Sequence, residues 1–285
     1  MFPFLLAATL AFSVQDADIS YSTAEKLVTT CTPRDAGTPR AAAAVNCILD
    51  AASATGADVR RDRFTAKTPK GERTFTNLTA EYVSNPESPW VVLVSHYDTK
   101  PGVNCPGAND GASTAGLLVG LANALGEWKT PRGNVMLIWT DGEECMEAYG
   151  ENDGFWGSKR AAEMLKRKGV DVKAVICLDM LGDKDLEISI PRNGSPALTK
   201  IALYAAKKAG AEDKVKPGEE LVKDDHVPFM DAGFKAVDLI DFKYGSAPGL
   251  NDYWHTPADT MDKISVESLK TSGEIVVQML NVLLI

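Results

Sequence analysis

Three histidines, His96, His226 and His255, are the only imidazoles in the chain, and each lies beside acids or at the end of an apolar run. His96 and Asp98 follow WVVLVS as HYD, so the two side chains share one face of an extended segment. Asp110 sits in the glycine-rich GANDGAS, Glu143 and Glu144 follow NVMLIWT in TDGEE, and Asp179 ends AVICLD. Asp224, Asp225 and His226 occur together in KDDHVPF, and Trp254 precedes His255 in YWHTPADT. Taken singly, an acid in such a place is an ordinary turn or cap residue. Several brought together would repel one another unless positive charge lay between them, and a divalent cation supplies that charge. Mixed imidazole and carboxylate donors suit zinc, with cobalt or manganese as substitutes in vitro. Calcium or magnesium would ask for oxygen ligands alone.

The elements expected to position these groups alternate in type. Helical spacing covers Ala24 to Thr30 and Pro39 to Ala54, and strand-like stretches cover Ala57 to Ala66 and Arg73 to Val83, with KTPKGE as the turn. Continuously apolar Trp90 to Ser95, Asn134 to Thr140, Val172 to Leu178 and Lys235 to Ile240 read as strands buried on both faces. Helices are expected over Ala112 to Leu125, Phe155 to Lys168 and Ser265 to Leu283, the last with Ser265 as N-cap. This predicts an α/β fold, three layers of helix, sheet and helix around a mixed, mostly parallel sheet. Ligands in such folds bind beyond the carboxyl ends of the strands, where the candidate residues fall.

The 285 residues, 45% hydrophobic and 24% charged, suffice for a core without disulfides. A net charge of −9 with no basic run excludes nucleic acid as the main partner. The apolar Phe2 to Val14 is too short to span a bilayer, so no stable membrane span is expected. It reads as a signal peptide over residues 1–19, lacking the usual positive start, with a single catalytic domain over 20–285 and a secreted or periplasmic location. Five cysteines without a CxxC pair exclude a thiolate zinc finger.

HYDT, GANDGAS, DGEE, LDM and WHTPADT resemble, in order, the motifs of the M28 family of zinc exopeptidases, of which glutaminyl cyclases are a branch. The resemblance implies two zinc ions bridged by Asp110, one completed by His96 and Asp179, the other by Glu144 and His255. Asp98 would orient the His96 ring, and Glu143 would be general base and acid. It also implies a cis peptide at Asp110–Gly111. The expected function is then a zinc aminopeptidase acting on peptides with a free N-terminus, through a metal-activated water. Two departures resemble the cyclases: Asp224 where the peptidases carry Ser, and Trp254 before His255, together with DGFWGS. The alternative is therefore a glutaminyl-peptide cyclotransferase with one zinc held by Asp110, Glu144 and His255. In it Glu143, Asp179 and Asp224 would handle protons, Trp254 would wall the pocket, and ammonia would be released. His226 is expected to shape the site or hydrogen-bond the transition state rather than to bind metal. A disulfide between Cys105 and Cys145, which flank two of the motifs, is a further expectation.

Overall fold

A computed structural model describes residues 9–246 and 251–284. Seven α-helices and eight strands are ordered along the described residues as α1 Val14–Cys31, α2 Pro39–Ala54, β1 Val59–Thr68, β2 Gly71–Tyr82, β3 Trp90–His96, α3 Thr114–Glu127, β4 Asn134–Thr140, α4 Trp156–Arg167, β5 Val172–Asp179, β6 Ile188–Ile190, α5 Pro196–Lys208, β7 Val215–Pro217, α6 His226–Asp231, β8 Ala236–Ile240 and α7 Val266–Leu283.

The strands form one sheet in the order β1-β2-β4-β3-β5-β8-β6-β7. Its four central strands, β4, β3, β5 and β8, run parallel, while β1, β2 and the β6/β8 pair supply the antiparallel contacts. Alternation along each central strand splits the core in two. Val91, Leu93, Val135, Leu137, Trp139, Ala174 and Ile176 pack under α1, α2, α3, α5 and α7. Val92, Val94, Met136, Ile138, Val175 and Cys177 pack under α4 and α6. Apolar residues therefore fall at successive positions through the middle of β3, β4 and β5, because both faces are covered. The expected three-layer fold with a mixed, mostly parallel sheet is the one observed.

Differences from the sequence expectations lie at the ends of elements and in the short ones. α1 begins ten residues before the expected helix, at Val14, because Ser13 and Asp16 form a capping box. Leu10 and Phe12 are buried, Leu10 exchanges two hydrogen bonds with Asn281, and the Phe12 ring fills the space beside Gly273. A domain boundary after residue 19 would thus cut through α1; the packed domain starts at Leu10, and residues 1–8 lie outside the described residues. α1 sits close to α3 because Gly116 and Gly120 leave no side chain between the helices; a Cβ at Gly116 would lie 2.3 Å from the Ser20 carbonyl. The β1–β2 turn is tighter than expected, closing with Thr68 opposite Gly71. α5, α6, β6 and β7 were not anticipated; they complete the β8 side of the sheet.

Candidate metal and acid centre

Parallel strands end on one edge, and three of the four central strands deliver a candidate residue there. His96 is the last residue of β3 and Asp179 the last of β5, while β4 ends at Thr140, four residues before Glu144. Asp110 enters from the kinked turn Ala108–Ser113, where its own backbone is non-helical (φ −98°, ψ 94°) and the Asp110–Gly111 peptide is cis. His255 arrives from the loop after β8, in a left-handed conformation with φ of 55°.

Asp110 is the shared element. Its Oδ1 lies 3.2 Å from His96 Nε2, and its Oδ2 lies 3.3 Å from His255 Nε2. His96 Nε2 is also 3.1 Å from Asp179 Oδ1, and His255 Nε2 is 2.7 Å from Glu144 Oε1. Two three-residue donor sets result, His96–Asp110–Asp179 and Asp110–Glu144–His255, in each of which one ligand atom per residue lies within 4.8 Å of the others. All five expected metal ligands are thereby brought together. Close packing requires Gly111, since a Cβ there would lie 2.6 Å from His96 Cε1.

The loops are held by buried carboxylates. Asp98 Oδ1 accepts from the backbone N–H groups of Gly142 and Glu143, its Oδ2 accepts from Glu144, and Oδ1 lies 3.5 Å from His96 Nδ1. One acid thus faces the imidazole and fixes the turn that separates the two glutamates. Asp259, overlooked in the sequence, accepts from the N–H groups of Asn109 and Asp110 and from the Tyr244 hydroxyl. Tyr149 reaches Glu143 Oε2 at 3.3 Å and Glu144 Oε2 at 3.4 Å, and Lys100 Nζ lies 3.5 Å from Glu144 Oε2. Lys100 could have been suspected from its place directly after HYDT; Tyr149, in MEAYG, carried no signal.

Electrostatics follow from this crowding. Burial pushes Glu143 well above the usual carboxylate range, and the neighbouring Glu144 adds to it. Burial likewise raises Glu144, assisted by Asp110. It lifts Asp179 to about 6 against the pull of His96, and Asp224 to about 7 with Asp179 contributing. Burial alone would discourage charge on the imidazoles, but the acids outweigh it. His96 is held well above its ordinary value by Asp110, Asp179 and Asp98, and His255 is held at about 9 by Asp110 and Glu144. Asp110 is pulled down despite its burial by the hydrogen bonds from His255 and His96. Without a metal the two imidazoles carry the positive charge that offsets these acids; a bound cation would take over that role, and the nitrogen and oxygen donors fit zinc.

Asp224 lines the same cleft as Glu143, Glu144, Asp179, Trp254 and His255. The Trp254 and His255 rings stack with centroids 3.8 Å apart. His226 is placed differently. It is fully buried at the start of α6, its Nε2 is 2.9 Å from Asn193 Nδ2, and its Nδ1 is 3.8 Å from Asp238. Asn193 is oriented by Val222, to which its Oδ1 and Nδ2 both bond, so Nδ2 donates to the imidazole and the ring proton sits on Nδ1, facing Asp238. His226 therefore sits behind the acids, bonded to Asn193, and a hydrogen bond from it to a substrate does not fit this burial. Asp238, missed in the sequence, is fully buried and groups with Asp224 and His226. Cys105 approaches Asp259 and Cys145 approaches Lys100, so the expected bridge between these two cysteines is not formed.

Comparison with known proteins agrees with this geometry. The chain is 31% identical to a glutaminyl cyclase from an Acidobacteriales bacterium, whose solved structure superposes with a TM-score of 0.89 over 99% of this chain and 98% of that one. It is 28% identical to the glutaminyl-peptide cyclotransferase of Drosophila melanogaster over 73% of this chain and 65% of that protein. It is also 28% identical to the aminopeptidase YwaD of Bacillus subtilis, over 72% of this chain and 45% of that protein. The chain thus spans somewhat less than two thirds of the Drosophila relative. Residues 77–280 match peptidase family M28, and with the ordered motifs and the two donor sets around Asp110 this match establishes that the chain belongs to that family.

Proposed function

We propose that the protein is a zinc-dependent glutaminyl-peptide cyclotransferase, forming N-terminal pyroglutamate with loss of ammonia. This reverses the order of the sequence expectation, in which the aminopeptidase came first. The observation that carries it is the lining of the cleft: the proton-holding acids Glu143 and Asp224 stand beside the Asp110–Glu144–His255 donor set, against the Trp254 wall. A full-length likeness to a glutaminyl cyclase supports the same reading.

Asp110, Glu144 and His255 would hold the zinc, which when bound polarises the γ-amide carbonyl of an N-terminal glutamine. The chemistry needs one proton taken from the α-amine as its nitrogen bonds to the carbonyl carbon of the side-chain amide (Cδ), and one delivered to the amide nitrogen as its bond to that carbon breaks. Glu143 is suited to both, since burial beside Glu144 lets it hold a proton near neutral pH. Asp224 and Asp179 would share protons with it. Trp254 would pack on the glutamine side chain and exclude water, which disfavours hydrolysis. A groove of about 560 Å³ shares Tyr149 and Lys223 with the cleft and would take the residues that follow the glutamine. The proposal includes an exported protein, a location suggested by the apolar N-terminal run.

The aminopeptidase reading keeps one specific support, the second donor set His96–Asp110–Asp179. Zinc-loaded protein incubated with glutamine-initiated peptides should release ammonia and leave pyroglutamyl peptides, while aminoacyl-nitroanilides stay intact. Release of free amino acids from the peptides, without pyroglutamate, would replace the proposal with the peptidase.

A further inference from the structure

Cys31 ends α1 and Cys47 lies on α2, and the two helices bring their sulfurs to 3.2 Å. The other three cysteines point elsewhere: Cys105 to Asp259, Cys145 to Lys100, and Cys177 into the core beneath α4 and α6. We propose that Cys31 and Cys47 form a disulfide in an oxidising compartment, stapling α1 to α2 across the strap of residues 32–38.

The strap matters because of what it holds. Arg34 is fully buried and donates to the carbonyls of Tyr97, Pro106 and Gly107, while its own N–H donates to Thr99 Oγ1. Asp35 accepts from the Thr99 hydroxyl and from the Gly102 N–H. Thr32 also donates to the Pro106 carbonyl. The strap therefore grips the chain just after His96–Asp98 and just before Asp110. A covalent tie across its base limits how far it can open, and with it the loops that place the metal donors. Cross-linking acts largely on the unfolded chain, whose freedom it restricts.

Formation balances as a thiol–disulfide exchange with a small-molecule disulfide such as oxidised glutathione. Cys47, partly exposed, loses its proton and attacks one sulfur of the reagent, releasing one thiol and leaving a mixed disulfide on Cys47. Cys31, whose thiol is pushed up by burial, then gives up its proton and attacks the Cys47 sulfur, releasing the second thiol. Two protein thiols are oxidised and one reagent disulfide is reduced to two thiols. The 3.2 Å approach makes the second step require little movement.

The full chain, reduced and then equilibrated with oxidised glutathione, is denatured for thiol titration and digested with trypsin without reductant. The expected result is a fall from five free thiols to three, with the peptide Leu27–Arg34 linked to Ala41–Arg60. The oxidised protein should melt higher than the reduced one by roughly 5 °C. C47S, at the partly exposed position, should fold and lose this redox difference. Five thiols persisting after oxidation, or a linkage between other cysteines, would overturn the proposal. Neither result depends on which reaction the cleft performs.

Discussion

Asp110 sets the logic of the centre at the level of single residues, because its two oxygens face the two imidazoles. The same crowding separates the roles of the paired glutamates. Glu144 touches His255, while Glu143 is held by burial in a proton-carrying state. Glu143→Gln should therefore lower turnover on the order of 10²–10⁴-fold, the usual worth of a positioned acid–base group, and leave zinc content unchanged by elemental analysis. Zinc loss in that variant would mean the two glutamates have exchanged roles. Gly111→Ala should do the reverse, since its methyl would collide with the His96 ring. Displaced zinc or an unfolded protein is the expected outcome, and a fully metallated, active variant would contradict the packing. Outside the centre, Asp241 is raised to about 7 by burial, although it accepts from the N–H groups of Glu187 and Lys243. A carboxyl with a raised folded pKa stabilises below its unfolded value, about 3.9, and that stability is lost as the pH climbs through about 7. Asp241→Asn should flatten this part of the melting-temperature profile between about pH 4 and 8. An unchanged slope would show that Asp241 is ionised throughout.

Individual elements were legible where one force dominated. The buried strands β3, β4 and β5 carry unbroken apolar runs, and β8 is apolar apart from Asp238, so their place in a covered parallel sheet could be read directly. The Ser265 cap of α7 was equally plain, and its hydroxyl accepts from the Ser268 N–H. α1 was not, because its apolar beginning resembles a leader peptide until Ser13 and Asp16 are seen to cap it and Asn281 to hold Leu10. The short β6 and β7 contain three residues each, too few for a period to declare itself. Removing the Phe12 ring tests whether this N-terminal segment belongs to the fold. Phe12→Ala should cost about 3–5 kcal/mol in denaturant unfolding, as for a core aromatic. A loss under about 0.5 kcal/mol, typical of surface substitutions, would free the segment from the domain.

Over the whole molecule, sheet topology converts scattered motifs into one centre. Residues from 96 to 255 meet because parallel strands finish on the same edge. That convergence could be anticipated from the alternation of strands and helices, and so could the meeting of the five candidate metal donors. Most supporting groups could not: Tyr149, Asp238 and Asp259 act through contacts made only after folding, with nothing in their local sequence to mark them, whereas Lys100 stands directly after HYDT. Nor did the sequence rank the two reactions, since His96 and Asp179 complete a second donor set while Asp224 and Trp254 alter the first. The most direct test is to return zinc stepwise to chelator-stripped protein while following ammonia release from a glutamine-initiated peptide. The account predicts no release without metal and a plateau at one zinc per chain. Full activity in the stripped protein, or a plateau reached only at two zinc ions, would contradict it.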